Sequence, residues 1–109
     1  MQLTFASKKL EKQLNSEKEI QKQYGHVARQ LKNRIGALRA VSNLDQVPRL
    51  PPERCHQLAG DRKGEFAVDL TGNWRLIFEP DPAAFLADGG IDLVAVTQIK
   101  ILEIKDYHG

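Results

Sequence analysis

Cysteine, methionine and tryptophan occur once each in 109 residues, and aromatic residues make up only 6% of the chain. A single thiol, Cys55, permits no internal disulfide, so the fold rests on an apolar core and not on cross-links. No apolar run approaches the ~18 residues that a membrane span needs. The opening Met1-Gln2-Leu3-Thr4-Phe5 leads straight into lysines, without the apolar stretch of a secretory signal. The expectation is a cytoplasmic protein with no membrane partner. Standard chemical signatures are missing too: there is no phosphate-binding glycine loop, no GxSxG elbow, no CxxC and no HExxH. Cys55, His56, His26 and His108 lack the spacing of a zinc site, so neither a metal nor a cofactor is expected. Cys55 and His56 are chain neighbours, and on an extended backbone they point to opposite sides, which disfavours a nucleophile–base pair. Cys55 reads instead as a small core residue.

Hydrophobic residues at 41% and charged residues at 28% suit one globular domain spanning 1–109, with enough apolar surface for a modest core. The net charge of +2 conceals an uneven distribution. Residues 1–64 hold 13 of the 16 lysines and arginines against six of the 14 acids, a balance of +7; residues 65–109 hold three against eight, a balance of −5. A basic half suits a polyanion, because each cation set on a phosphate releases counterions. A helix with a solvated lysine face has the same composition.

Met1 to Phe5 reads as a short edge strand. Ser7 is placed to cap a helix carrying Leu10 and Leu14, and Ser16 with Glu19 forms a capping box. Ile20, Tyr24, Val27, Leu31, Ile35 and Leu38 then recur at spacings of four and three. They predict one long amphipathic helix ending near Val41, with Lys22, Arg29, Lys32, Arg34 and Arg39 largely outside the stripe. Residues 42–64 have no periodicity; Pro48, Pro51 and Pro52 exclude a helix, and Gly60-Asp61-Arg62-Lys63-Gly64 reads as a turn. Phe66, Val68 and Leu70 alternate before Thr71-Gly72-Asn73, and Trp74, Leu76 and Phe78 alternate after it, which is the pattern of a β-hairpin with one buried face. After a loop over 81–90, residues 97–106 read as a strand buried on both faces and central in the sheet. The order of short strand, two helices and antiparallel sheet implies an α+β domain with the helices on one face.

The polar residues left over are His56, Arg62 and Lys63, Arg75 within a strand, and Asp106-Tyr107-His108. Arg75 stands out, since a strand's exposed face more usually carries Lys, Thr or Glu at such a position. Three stretches then combine: His56-Gln-Leu-Ala-Gly-Asp-Arg-Lys-Gly64, Asp69-Leu-Thr-Gly-Asn-Trp-Arg-Leu-Ile-Phe78, and Asp106-Tyr107-His108. In this order they resemble the HigB-type branch of the RelE/ParE toxin superfamily. The likeness covers the C-terminal half in motif detail and the N-terminal half in element order. Family members commonly carry a lysine where this chain has Ala59.

The resemblance implies a RelE/ParE-like fold and the toxin of a toxin–antitoxin pair that cuts mRNA in the ribosomal A site. RNA supplies its own nucleophile, the 2′-hydroxyl, so the enzyme needs a base, a cation for the developing phosphorane charge and an acid for the leaving oxygen. The resemblance assigns His56 and His108 to acid–base work, Arg75 to the scissile phosphate, Asp106 to orientation and Tyr107 to stacking or proton transfer. Arg62, Lys63, Lys32 and Arg39 are the expected RNA-backbone contacts. The implied partners are a helix-turn-helix antitoxin, the ribosome and mRNA, with operator DNA met only through the antitoxin complex. Two other readings share the fold: a ParE-like inhibitor of DNA gyrase, and a decayed toxin that keeps only antitoxin binding.

Overall fold

The computed structural model describes residues 1–107. A five-stranded sheet forms one layer, in the order β1-β5-β4-β3-β2. The strands are β1 (Gln2–Phe5), β2 (His56–Gln57), β3 (Phe66–Asp69), β4 (Trp74–Pro80) and β5 (Gln98–Asp106). Strands β2 to β5 pair antiparallel, as expected. β1 joins β5 in parallel, so the sheet is mixed and not wholly antiparallel. β1 lies at an edge, in line with the sequence, but the middle strand is β4 and not β5.

The helical layer packs on one face. Ser7 caps α1 (Lys8–Leu14) and Ser16 caps α2 (Glu17–Tyr24), each hydroxyl accepting an amide hydrogen three residues on at 3.1 Å. The single long helix drawn from the apolar stripe is broken. A 3-10 turn over Gly25–Val27 separates α2 from α3 (Ala28–Ala40). Gly25 sits at the break, and a glycine inside a helix costs about 1 kcal/mol relative to alanine. The bend lets α2 pack against both α1 and α3. Tyr24 turns back so that its hydroxyl donates to Gln13 Oε1 at 2.8 Å.

Leu31, Ile35 and Leu38 of α3 meet Phe66, Val68, Leu76, Phe78, Ile99 and Ile101 of the sheet, together with Val27, Leu10, Leu14 and Ile20. Each such side chain contributes roughly 1.5–3 kcal/mol on burial. Arg34 is also buried, at 7% exposure. Its spacing from Val27 and Leu31 (four, then three) puts it within the stripe, a place its charge had concealed.

β5 is not buried on both faces. Ile99 and Ile101 are buried, whereas residues 102–105 are half-buried. The reason is a bulge: Ile77 pairs with Glu103 but Phe78 pairs with Ile101, so Leu102 has no partner in the register. Strict alternation would put Ile99, Ile101 and Glu103 on one side. The extra residue turns Glu103 to the other side and brings Ile104 opposite Leu76 on the helix side. Residues 42–64 contain 3-10 turns at Leu44–Gln46 and Gly60–Arg62 besides β2, and residues 91–96 hold a 3-10 turn at Leu93–Ala95.

Candidate functional site

The sheet face turned away from the helices carries two rows of paired residues. One row runs His56, Ala67, Ile77, Glu103 and the next runs Asp69, Arg75, Lys105. Residues paired across strands share a face, so His56 and Arg75 stand on the same side of the sheet.

Asp69 is the hub of the second row. Arg54 grips its carboxylate with both ends of the guanidinium fork, Nε to Oδ2 at 2.6 Å and Nη2 to Oδ1 at 2.9 Å. Arg75 Nε lies 2.9 Å from Oδ1. From α3, Arg34 Nε donates to the Asp69 carbonyl at 2.6 Å. Two guanidiniums, Arg54 and Arg75, thus share one carboxylate on this face, a surplus of one positive charge, with Lys105 paired beside Arg75, while Arg34 holds the Asp69 carbonyl from the helix side. The Arg54 hydrogen bond to Asp69 holds its pKa above the ordinary value. Arg75 is further fixed by Nη1, which donates to the carbonyls of Gly72 at 2.9 Å and Trp74 at 3.0 Å. The hairpin turn and the guanidinium therefore hold one another.

His56 is set by the segment that carries Arg54. Its Nδ1 lies 2.7 Å from the Arg54 carbonyl. A carbonyl only accepts, so Nδ1 carries the hydrogen and neutral His56 presents a basic Nε2. Arg54 has φ 44°, and among the described residues it is the only non-glycine with positive φ. Such a conformation costs on the order of 1 kcal/mol and persists where surrounding contacts over-determine it. Here those contacts are the bidentate ion pair, the His56 bond and the Asp69 amide donating to the Glu53 carbonyl at 2.8 Å. Cys55, between them, points into the core, and burial pushes its thiol up to about 11.

Arg62 is held differently. Its guanidinium donates to Glu65 at 2.6 Å and to Glu103, spanning β4 between the segment entering β3 and β5. The hydrogen bond to Glu103, then that to Glu65, raises its pKa against the effect of partial burial. Its charge is more than matched by two carboxylates. Lys63 borders a cleft of about 400 Å³ with Gln57, Phe85 and Ile91. Lys32 and Arg39 lie among the helices, beside Leu14 and Ile20, not on the sheet face that carries His56 and Arg75. Asp106 pairs with Trp74, whose ring packs on the helix side against His26 at 4.7 Å, so the register sets Asp106 on the face opposite Arg75. Tyr107 returns to Lys105, whose Nζ lies 5.5 Å from the ring centroid. His108 lies outside the described residues. Ala59 is exposed and offers only a methyl group.

Sequence reasoning therefore found His56, Arg75 and Tyr107 near this face and missed Arg54, Asp69 and Arg34. Asp69 was discoverable, because a turn centred on Gly72 pairs residue 69 with residue 75. Chemically, the face offers a basic imidazole nitrogen beside a cluster with excess positive charge. Among the described residues, no three His, Cys, Asp or Glu side chains are grouped to hold a metal ion.

No family model matches the sequence, and no curated protein matches it. Solved structures do match. A YoeB/ParE toxin from Agrobacterium tumefaciens superposes with a TM-score of 0.56 at 12% identity, covering 99% of this chain and 100% of its own. A chain of the YoeB-YefM complex from Staphylococcus aureus gives 0.56 at 14% identity, covering 100% of this chain and 98% of its own. The chain has the fold of the YoeB/ParE toxins. Both matches run essentially end to end, so the sheet face with His56 and Arg75 belongs to the shared fold and is not an appendage to it.

Proposed function

We propose that this chain is the toxin of a toxin–antitoxin pair, of the HigB type, and that it cuts mRNA in the ribosomal A site without a metal. The observation that carries this reading is His56 with its Nδ1 hydrogen committed to the Arg54 carbonyl, on the same sheet face as a guanidinium cluster with surplus positive charge. His56 Nε2 takes the proton from a ribose 2′-hydroxyl. The freed oxygen attacks the adjacent phosphorus, and the 5′-oxygen leaves with a proton from His108. The products are a 2′,3′-cyclic phosphate and a 5′-hydroxyl. Arg75, already fixed in the hairpin, stabilises the charge that develops on the phosphoryl oxygens. Tyr107 stacks on a base, and Asp106 acts from the edge of the sheet to orient the tail that bears His108. Lys63, Lys32 and Arg39 contact ribosomal or messenger phosphates away from the chemistry.

The partner that restrains such an enzyme is a helix-turn-helix antitoxin, and one of the fold's solved examples is itself a complex of YoeB with YefM. The proposed setting is the cytoplasm. The mechanism is tested by replacing the 2′-hydroxyl at the cut site with hydrogen. Cleavage there is expected to stop, and persistent cutting at that nucleotide removes the 2′-hydroxyl from the reaction. His108→Ala is expected to lose growth arrest while keeping its thermal melt; a folded, fully toxic variant removes His108 from the site.

A further inference from the structure

Three arginines surround Asp69, but they are not equivalent. Arg34 is 7% exposed, and its Nε is committed to the Asp69 carbonyl. The Arg75 side chain is 17% exposed, with Nε at the Asp69 carboxylate and Nη1 on two backbone carbonyls of the turn. Arg54 differs in both respects. Its side chain is 43% exposed, and among the described residues its fork meets the Asp69 carboxylate and nothing else. A guanidinium fork binds a carboxylate and a phosphate with the same two parallel hydrogen bonds. The Arg54 end of the pair faces solvent while Arg75 holds Asp69 independently, so a phosphate can take the fork while Asp69 keeps Arg75.

We propose that Arg54 is the substrate-binding guanidinium of the site, parked on Asp69 in the free chain and transferred to an RNA backbone phosphate when substrate arrives. Asp69 is a positioning residue that keeps Arg75 in place throughout. This deepens the ribonuclease reading and rests on it for the identity of the polyanion. The left-handed backbone of Arg54 gives the exchange a second consequence. The residue that grips the phosphate also offers the carbonyl that fixes the His56 tautomer, so phosphate binding and base orientation share one strained residue.

The test uses a short single-stranded RNA with 2′-deoxyribose at the cut site, so binding is read without cleavage. Wild type is compared with Arg54→Asn, since asparagine tolerates positive φ, with Arg54→Lys, and with Arg62→Gln as a control. Arg54→Asn is expected to weaken binding about 10-fold and to lower the slope of log affinity against log salt by about 0.7, the value for one phosphate contact on a single strand. Arg54→Lys is expected to restore the slope but only part of the affinity, because it keeps the charge and loses the fork. In cleavage of normal mRNA on ribosomes, the Arg54→Asn loss is expected in KM more than in kcat. An unchanged salt slope in Arg54→Asn overturns the assignment, as does full rescue of affinity by any polar residue. If wild type binds the RNA with the expected Arg54 dependence but never cuts mRNA, the ribonuclease reading fails while Arg54 keeps its phosphate. If Arg54→Asn melts early, Arg54→Lys decides alone: a wild-type slope with reduced affinity supports the fork, and wild-type affinity overturns it.

Discussion

Two ion clusters sit on the same sheet face, one row apart, with opposite stoichiometry. Around Asp69, the guanidiniums of Arg54 and Arg75 share one carboxylate, while Arg34 holds the Asp69 carbonyl from the helix side. Around Arg62, two carboxylates share one guanidinium. The second is closed: its positive charge is spent within the fold, and the group works as a brace between β3 and β5. The first is open, since among the described residues it retains positive charge that its one carboxylate does not balance. Counting basic residues in the sequence does not separate the two, and Arg62 looked as suitable for RNA as any other arginine. What separates them is which acids the sheet register brings alongside. Glu103 reaches Arg62 because the bulge at Leu102 turns it to this face.

Four substitutions probe these clusters and their neighbours, with decreasing effect. Arg75→Ala removes the fixed guanidinium and is expected to lower single-turnover mRNA cleavage at least about 100-fold, the scale of losing one stabiliser of transition-state charge. Asp69→Asn leaves two guanidiniums, Arg54 and Arg75, without their carboxylate. Its expected cost is about 1–3 kcal/mol in urea unfolding, the range for leaving a partly buried polar partner unsatisfied. Arg62→Gln opens the closed cluster and is expected to cost about 1 kcal/mol or less, given the partial exposure of both pairs. Its cleavage rate is expected to stay within about twofold of wild type. A larger loss of cleavage than in Arg75→Ala would reverse the roles of the two clusters.

The last point concerns the neighbours Cys55 and His56, of which Cys55 is buried in the core and His56 lies on the face with Arg75. Burial raises the Cys55 thiol to about 11 from 9.0. At pH 8 its alkylation by iodoacetamide is therefore expected to be about 100-fold slower folded than in urea, one factor of ten per unit. The linkage has a definite sign. The folded thiol holds its proton more tightly than the unfolded one, so this contribution is intact below pH 9 and is lost as pH rises from 9 toward 11. Cys55→Ala is expected to flatten the fall in melting temperature across that window. An equal fall in both proteins would place Cys55 nearer the surface.

Much of the frame was legible from the residues. Ser7 and Ser16 announce their helices because a hydroxyl ahead of an apolar period satisfies orphan amides, and both do so. The hairpin around Gly72 follows from alternation, and with it the face shared by Arg75 and Asp69. Three features were not legible, each for a physical reason. The break at Gly25 leaves the apolar spacing nearly intact, so the pattern alone reads as one helix. Arg34 occupies a stripe position, but its charge argues for the surface until a carbonyl is found to accept from it. Arg54 lies in the stretch without periodicity, where conformation is set by contacts distant in sequence, including Asp69 15 residues on. The most informative residue of the site thus came from the segment that pattern reading describes least.

The most direct test of the account is primer extension on a defined mRNA, with and without translating ribosomes, for wild type, Arg75→Ala and Arg62→Gln in parallel. The account predicts ribosome-dependent cuts from wild type and Arg62→Gln at matching positions, and none above background from a folded Arg75→Ala. Cuts of equal strength from all three proteins, or none from well-folded wild type, would contradict it.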